Sequence, residues 1–175
     1  MFISMYESNI PQEKFNKAYE TLYPVIFRVA YRIVGDTSMA EDMCQEAFIK
    51  YYQRNEDLPD LSQTKYWLIR VVKNLSLNHE KRKGRERNAV EKLKKAPLQH
   101  TASGEDIYLK QEAKSAVQSA LEKLPYKFRV VLVLKEYAKM NYKEIGATLG
   151  ISEGNVKVRV FRAREKMANL LKETI

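Results

Sequence analysis

An all-α fold is what this sequence predicts, and three observations carry it. Apolar residues recur at intervals of three and four along most of the 175 residues, as they do on one face of a helix. No run of alternating apolar and polar residues suggests a strand. The six Gly and five Pro fall mainly between the periodic segments.

The first helix runs from Gln12 to Val34, with Phe15, Tyr19, Leu22, Ile26, Val29 and Ile33 on one side, and Gly35-Asp36 ends it. A second, about Ser38 to Arg54, opens on a capping box of Ser38 and Glu41. A polar break from Asn55 to Gln63, containing Pro59, precedes a third helix from about Thr64 to Lys83. Residues 84–104 are polar, charged and punctuated by Pro97 and Gly104, and read as a linker holding a frayed helical turn or two. Ser103 and Asp106 then cap a helix carrying Ile107, Ala113, Val117, Ala120 and Leu124. Pro125 starts another, with Phe128, Val131, Val133, Leu134 and Tyr137. Two further helices complete a four-helix C-terminal unit.

Those last two helices are the most informative part of the chain. Asn141 caps the shorter one and Glu144, three residues on, reaches back to the first amides. Ile145 and Leu149 give it an apolar side, and Gly150 stops it in a turn that tolerates positive φ. Ser152 caps the longer one, whose buried stripe is Val156, Val160, Ala163 and Met167. Lys157, Arg159, Arg162, Arg164 and Lys166 fall mostly off that stripe. A basic helix set against a shorter one is the helix-turn-helix arrangement, whose second helix enters the DNA major groove. The plainer alternative is an amphipathic helix with a solvated basic face.

Charge agrees with a polyanionic partner. Residues 116–175 hold 12 Lys+Arg against 6 Asp+Glu, which is two thirds of the net +9. RNA or an anionic membrane would be served equally by charge alone, so the motif ranks above it. No apolar run approaches the roughly 20 residues that span a bilayer, so no membrane insertion is expected. The first residues lack the basic start and long apolar core of a signal peptide, and a cytoplasmic chain is expected. Cys44 is the single cysteine, and His79 and His100 have no ligand-like spacing. Cys44 is most simply a small buried residue, a redox thiol being the alternative. Neither metal nor cofactor is expected, and no P-loop or nucleophile–base constellation marks an enzyme.

The N-terminal half carries two further patterns. Glu41, Asp42, Gln45 and Glu46 project opposite the apolar Met43, Ala47 and Phe48. Such an acidic ridge repels phosphate and suits either solvent or a basic protein partner. Tyr66 to Asn74 then packs aromatics and cations into barely two turns, followed by Asn78, Arg82 and Lys83. Aromatics interleaved with Arg, Lys and Asn suit single-stranded DNA, while Trp67 and Leu68 themselves read as core.

In this order and spacing, Ala40-Glu41-Asp42 with Gln45-Glu46 and Phe48, then Trp67-Leu68 with Asn74, then Ser152, Gly154, Val156-Lys157 and Arg159 resemble the extracytoplasmic-function (ECF) sigma factors. These are the small two-domain promoter-specificity subunits of bacterial RNA polymerase, and the resemblance covers about residues 10–172. It implies a region-2 domain over residues 1–83, a linker over 84–104 and a region-4 domain over 105–175. Asp42, Gln45 and Glu46 would dock the clamp helices of the polymerase β′ subunit. The loop from Asn55 to Thr64, with Arg70, Lys73 and Asn74, would open and read the −10 element. Asn155, Lys157, Phe161 and Arg162 would read the −35 major groove, with Arg159 and Arg164 as phosphate contacts or intrahelical partners. The implied partners are polymerase core, through its β′ clamp helices and β flap, promoter DNA, and an anti-sigma factor that clamps the two domains.

The chain departs from the family pattern at four positions. Thr64 stands where an aromatic is usual, Val72 where a small residue is, Val158 where Ser or Thr is common, and Asn155 where Thr is. Two other classes compete. An ordinary repressor or activator would use the C-terminal motif alone and would need neither the acidic ridge nor the Trp67–Asn74 cluster. A protein-binding mimic would have lost the basic residues of the last helix, which are present.

Overall fold

The computed structural model describes residues 8–93 and 115–174. Among them, seven helices follow one another: α1 (Gln12–Val34), α2 (Thr37–Tyr52), α3 (Leu61–Leu93), α4 (Ala116–Lys123), α5 (Tyr126–Glu136), α6 (Tyr142–Leu149) and α7 (Glu153–Thr174).

Helix α1 spans its expected range and buries Leu22, Ile26, Val29 and Ile33. Phe15 packs against that core, half-buried, while Tyr19 is exposed. They begin a row of aromatics four residues apart, Phe15, Tyr19, Tyr23, Phe27 and Tyr31, with successive ring centroids 5.1–6.3 Å apart. Pro24 sits mid-helix on the exposed side. The carbonyl it leaves without an amide donor is that of Glu20, also on the exposed side, where solvent can reach it. Gly35 closes the helix at φ 76°, donating its N–H to the Tyr31 carbonyl at 2.7 Å.

The cap of α2 is Asp36, not Ser38. The Met39 amide donates to Asp36 Oδ1 at 2.8 Å, so Ser38 lies inside the first turn and the expected Ser38–Glu41 box does not form. The left-handed turn at Gly35 leaves Asp36 extended, and an extended residue directly before the first helical amides is the one that caps them. Helix α3 starts three residues before Thr64, because the Gln63 amide donates to Asp60 Oδ1 at 2.8 Å. It also persists to Leu93, ten residues past the expected end at Lys83. Arg, Glu, Ala and Lys, all good helix formers, dominate that extension, and the single Gly84 does not break it.

In the C-terminal half, Ser115 caps α4, accepting from the Gln118 amide at 3.3 Å. The expected start at Ser103 and Asp106, with Ile107 and Ala113, lies outside the described residues. Val117 is exposed, while Ala120 and Leu124 are buried. Helix α5 buries Phe128 through Leu134 without a break, which makes it the central rod of this half. Helices α6 and α7 pack on it and on each other.

The two halves share one continuous apolar core. Helix α1 rests on α4 and α5, and α3 on α5 and α6. Polar side chains fasten the contact. The buried Arg129 guanidinium donates to the carbonyls of Ile33 at 2.7 Å and Leu124 at 3.0 Å, and lies 3.7 Å from the Glu80 carboxylate. Tyr126 donates its hydroxyl to the Lys73 carbonyl at 3.2 Å and pairs with Ser76 Oγ at 2.9 Å. Lys65 reaches the Ala138 carbonyl at 2.9 Å, and Tyr66 donates to Glu144 at 2.6 Å.

Candidate nucleic-acid and partner interfaces

The basic helix α7 has the local construction its sequence predicts. Glu144 receives the Asn141 amide at 2.7 Å while the Asn141 side chain accepts from the Glu144 amide at 2.9 Å, a complete capping box on α6. Gly150 ends α6 at φ 69°. Gly146 is needed for a different reason: a Cβ there would stand 2.7 Å from the Ile151 carbonyl, so only glycine lets the turn close on α6. The Asn155 amide donates to Ser152 Oγ at 3.2 Å, fixing the start of α7.

On α7 the stripe Val156, Val160, Ala163 and Met167 is buried. Asn155, Lys157, Phe161 and Arg162 are exposed and Arg159 half-buried. Lys157 is paired with Glu153, one turn back, at 3.2 Å. An exposed pair of this kind is worth well under 1 kcal/mol, so Lys157 exchanges it readily for another anion. Arg164 does not take an intrahelical partner. It binds Glu136 of α5 through Nη2 at 2.5 Å and Nε at 3.2 Å, and thereby pins α7 to the central rod.

A second group lies on α3. Arg70 and Asn74 are exposed one turn apart, with Lys73 half-buried beside them. Burial, then the neighbouring Arg70 charge, hold the Lys73 ammonium below its usual pKa. A lysine so placed gains more from an incoming anion than a fully hydrated one would. Leu68 is buried and Trp67 half-buried. The Arg54 guanidinium lies 4.9 Å from the Trp67 ring centroid, a pairing across 13 residues that no local spacing announces.

The loop between α2 and α3, where the resemblance leads one to expect an aromatic in place of Thr64, is tied down by Lys14, Thr64 and Asn9. Lys14 pairs with Asp57 at 2.5 Å and donates to the Leu58 carbonyl at 2.7 Å. Thr64 Oγ1 donates to the Asp60 carbonyl at 2.9 Å, and Asn9 to the Asn55 carbonyl at 3.0 Å. The Lys14 hydrogen bond is the main reason that Asp57 stays below the ordinary carboxylate range.

The third surface is on α2. Glu41, Asp42, Gln45 and Glu46 are all exposed, while Met43, Cys44, Ala47 and Phe48 are buried beneath them. Only Glu46 has an ion partner on this ridge among the described residues, Lys50 at 3.6 Å. Ile49 is 55% exposed and continues the ridge by one turn, an apolar residue on the same helical face as Asp42, Gln45 and Glu46. No group of three or more His, Cys, Asp or Glu among the described residues is arranged to hold a metal ion. None of the described helices is long and apolar enough to cross a membrane.

An exposed anionic ridge on one half and a cationic helix-turn-helix on the other are the features of a DNA-binding protein with two faces of opposite charge. Comparison with known proteins narrows this. The family model for sigma-70 region 2 matches residues 18–86, and that for sigma-70 region 4 matches residues 114–167. The ECF RNA polymerase sigma factor SigW of Bacillus subtilis is 31% identical over 171 residues, covering 93% of this chain and 91% of that relative. The ECF RNA polymerase sigma factor SigE of Mycolicibacterium smegmatis is 34% identical over 148 residues, a match spanning 83% of this chain and 57% of that relative. The solved co-crystal structure of the sigma factor RpoE with the anti-sigma factor NepR from Bartonella quintana shares the fold, with a TM-score of 0.68 at 22% identity over 91% of this chain and 98% of that one. The chain belongs to the ECF sigma factors, the initiation factors that direct RNA polymerase to promoters.

Proposed function

We propose that the chain works as a two-module promoter reader whose modules divide docking, strand capture and duplex anchoring. Residues 1–83 form the module that binds polymerase and reads the −10 element, 84–104 connect, and 105–175 form the module that reads the −35 element. The observation that carries this is the separation of charge: the exposed face of α2 is acidic and that of α7 basic.

Asp42, Gln45 and Glu46 dock basic side chains of the β′ clamp helices. Arg70, Lys73 and Asn74 take the −10 strand, with Asn74 hydrogen-bonding an unstacked base. Asn155, Lys157, Arg159, Phe161 and Arg162 meet the −35 duplex, where charged contacts to phosphate set register and a few side chains read base edges. The C-terminal module also contacts the β flap. Strand opening is driven by capture of unstacked bases, and the chain supplies binding free energy while polymerase core supplies the chemistry. It is no enzyme itself, and it acts in the cytoplasm, where core and promoter are. An anti-sigma factor is a further partner, a reading supported by the RpoE relative solved with NepR.

The test uses polymerase core, a genomic promoter library and Glu46→Lys. The wild-type chain is expected to co-elute with core and give discrete transcription starts. The charge reversal should abolish co-elution while leaving the helical signal and melting temperature unchanged. Co-elution retained by a folded Glu46→Lys chain would remove the ridge from the docking site.

A further inference from the structure

The −35 assignment places Phe161 on the duplex without saying which group it meets, and gives the neighbouring Val158 no role. Val158 is 47% and Phe161 70% exposed, although the packing of this helix is fully supplied by Val156, Val160, Ala163 and Met167. Residues three apart on a helix are surface neighbours, with Cβ atoms roughly 5–6 Å apart. The two side chains therefore form one apolar strip, flanked by Asn155, Lys157 and Arg162. Its surroundings restrict what covers it. The last 60 residues carry twice as many basic as acidic residues, so the occupant is anionic outside and apolar where the strip touches it.

Duplex DNA meets both conditions at one place. The thymine C5-methyl is the apolar group that a base pair presents in the major groove. We infer that Val158 and Phe161 are a paired thymine-methyl reader, so that the duplex element bound by α7 carries thymine under each of them. This rests on the −35 reading above and adds the base identity. Valine is suited to the task. Its β-branched side chain keeps essentially one rotamer in a helix, so its methyls are held in a fixed place. It also discriminates against the alternatives: it can satisfy neither the N6 amino group of adenine nor the N4 amino group of cytosine, which a hydroxyl could accept from. Val158 and Phe161 thus specify by shape and desolvation, while Lys157 and Arg162 supply attraction.

The probe is a duplex library randomised over the −35 region, selected with the core-bound chain. Each thymine of the selected sequence is then replaced by deoxyuridine, which removes the methyl and nothing else. Burial of one methyl corresponds to about a fourfold change in affinity. Deoxyuridine at two positions should therefore weaken the wild-type complex about fourfold each. One of those losses should vanish in Val158→Ser and the other in Phe161→Ala, both substitutions lying on the surface and outside the core. An enriched sequence insensitive to deoxyuridine, or one equally sensitive in wild type and both variants, overturns the thymine assignment and leaves the −35 reading standing. Selection that enriches no −35 sequence at all overturns both.

Discussion

Burial of Cys44 pushes its thiol up to about 12, with the nearby Glu41 charge acting in the same direction. The thiolate is the nucleophile, so at neutral pH almost none is present and the sulfur is shielded besides. Native protein at pH 8 should take up no iodoacetamide over hours, and the unfolded chain should be labelled at an ordinary rate. Mass spectrometry distinguishes the two, and rapid labelling of the native chain would restore the redox reading. The same residue shows what periodicity conveys well. Cys44 falls on the stripe with Ala40, Met43 and Ala47, and a small side chain on a buried stripe is packed whatever else the molecule does. Ile49 makes the same point from the other side: one turn beyond Gln45, it lies open on the ridge face where its spacing puts it, although its side chain is apolar.

At the scale of elements, caps and stops were legible wherever one residue alone had the right chemistry. Asn141, Gly150 and Ser152 do what their positions require. At the start of α2 two cap residues compete, and the chain path at Gly35 selects Asp36. The α6 capping box also serves a second purpose. Glu144 accepts from Tyr66 of α3, the largest influence holding its carboxyl below the ordinary range; burial opposes it, and the Asn141 amide adds a further lowering. Lys65 and Lys135 act in the same direction, while Glu144 in turn raises the Tyr66 phenol. A carboxyl depressed by folding contributes stability above its unfolded pKa and loses it as pH falls through the folded value. Tyr66→Phe removes the leading contact. Its urea-unfolding stability should therefore fall less steeply than wild type below about pH 5, where carboxylates protonate. Parallel curves would mean that the bond is not maintained in solution.

For the whole molecule, the contact between halves is the main finding that no local pattern announced. Arg129 interrupts the pattern of an apolar helix, and its guanidinium ties the end of α1 to the end of α4. Gly35 belongs to the same contact, since a Cβ there would collide with the Glu122 side chain. Truncating a buried guanidinium leaves carbonyls and the partly buried Glu80 without their donor, at a cost of about 2–4 kcal/mol. Arg129→Ala should accordingly lower the unfolding free energy by that amount. It should also divide the single cooperative transition expected of one shared core into two, seen by calorimetry. A single transition at the wild-type temperature would show that the halves are held by apolar packing alone.

The chain by itself determined the helices, most of their caps and which faces of α2 and α7 are polar. Those features follow from residues within one or two turns of each other, where hydrogen-bonding capacity and helical periodicity leave few alternatives. The family resemblance was legible for the same reason, being carried by short motifs on those faces. What only the tertiary structure decided is how the halves meet, where the α2–α3 loop is anchored and which apolar residues stay open. Each depends on partners distant in sequence, such as Arg129 and Ile33, 96 residues apart, or Lys14 and Asp57, 43 apart. Local sequence states what a side chain can bond to, but the seating of one helix on another chooses among many equally capable partners, and that choice is made by the packing of the whole.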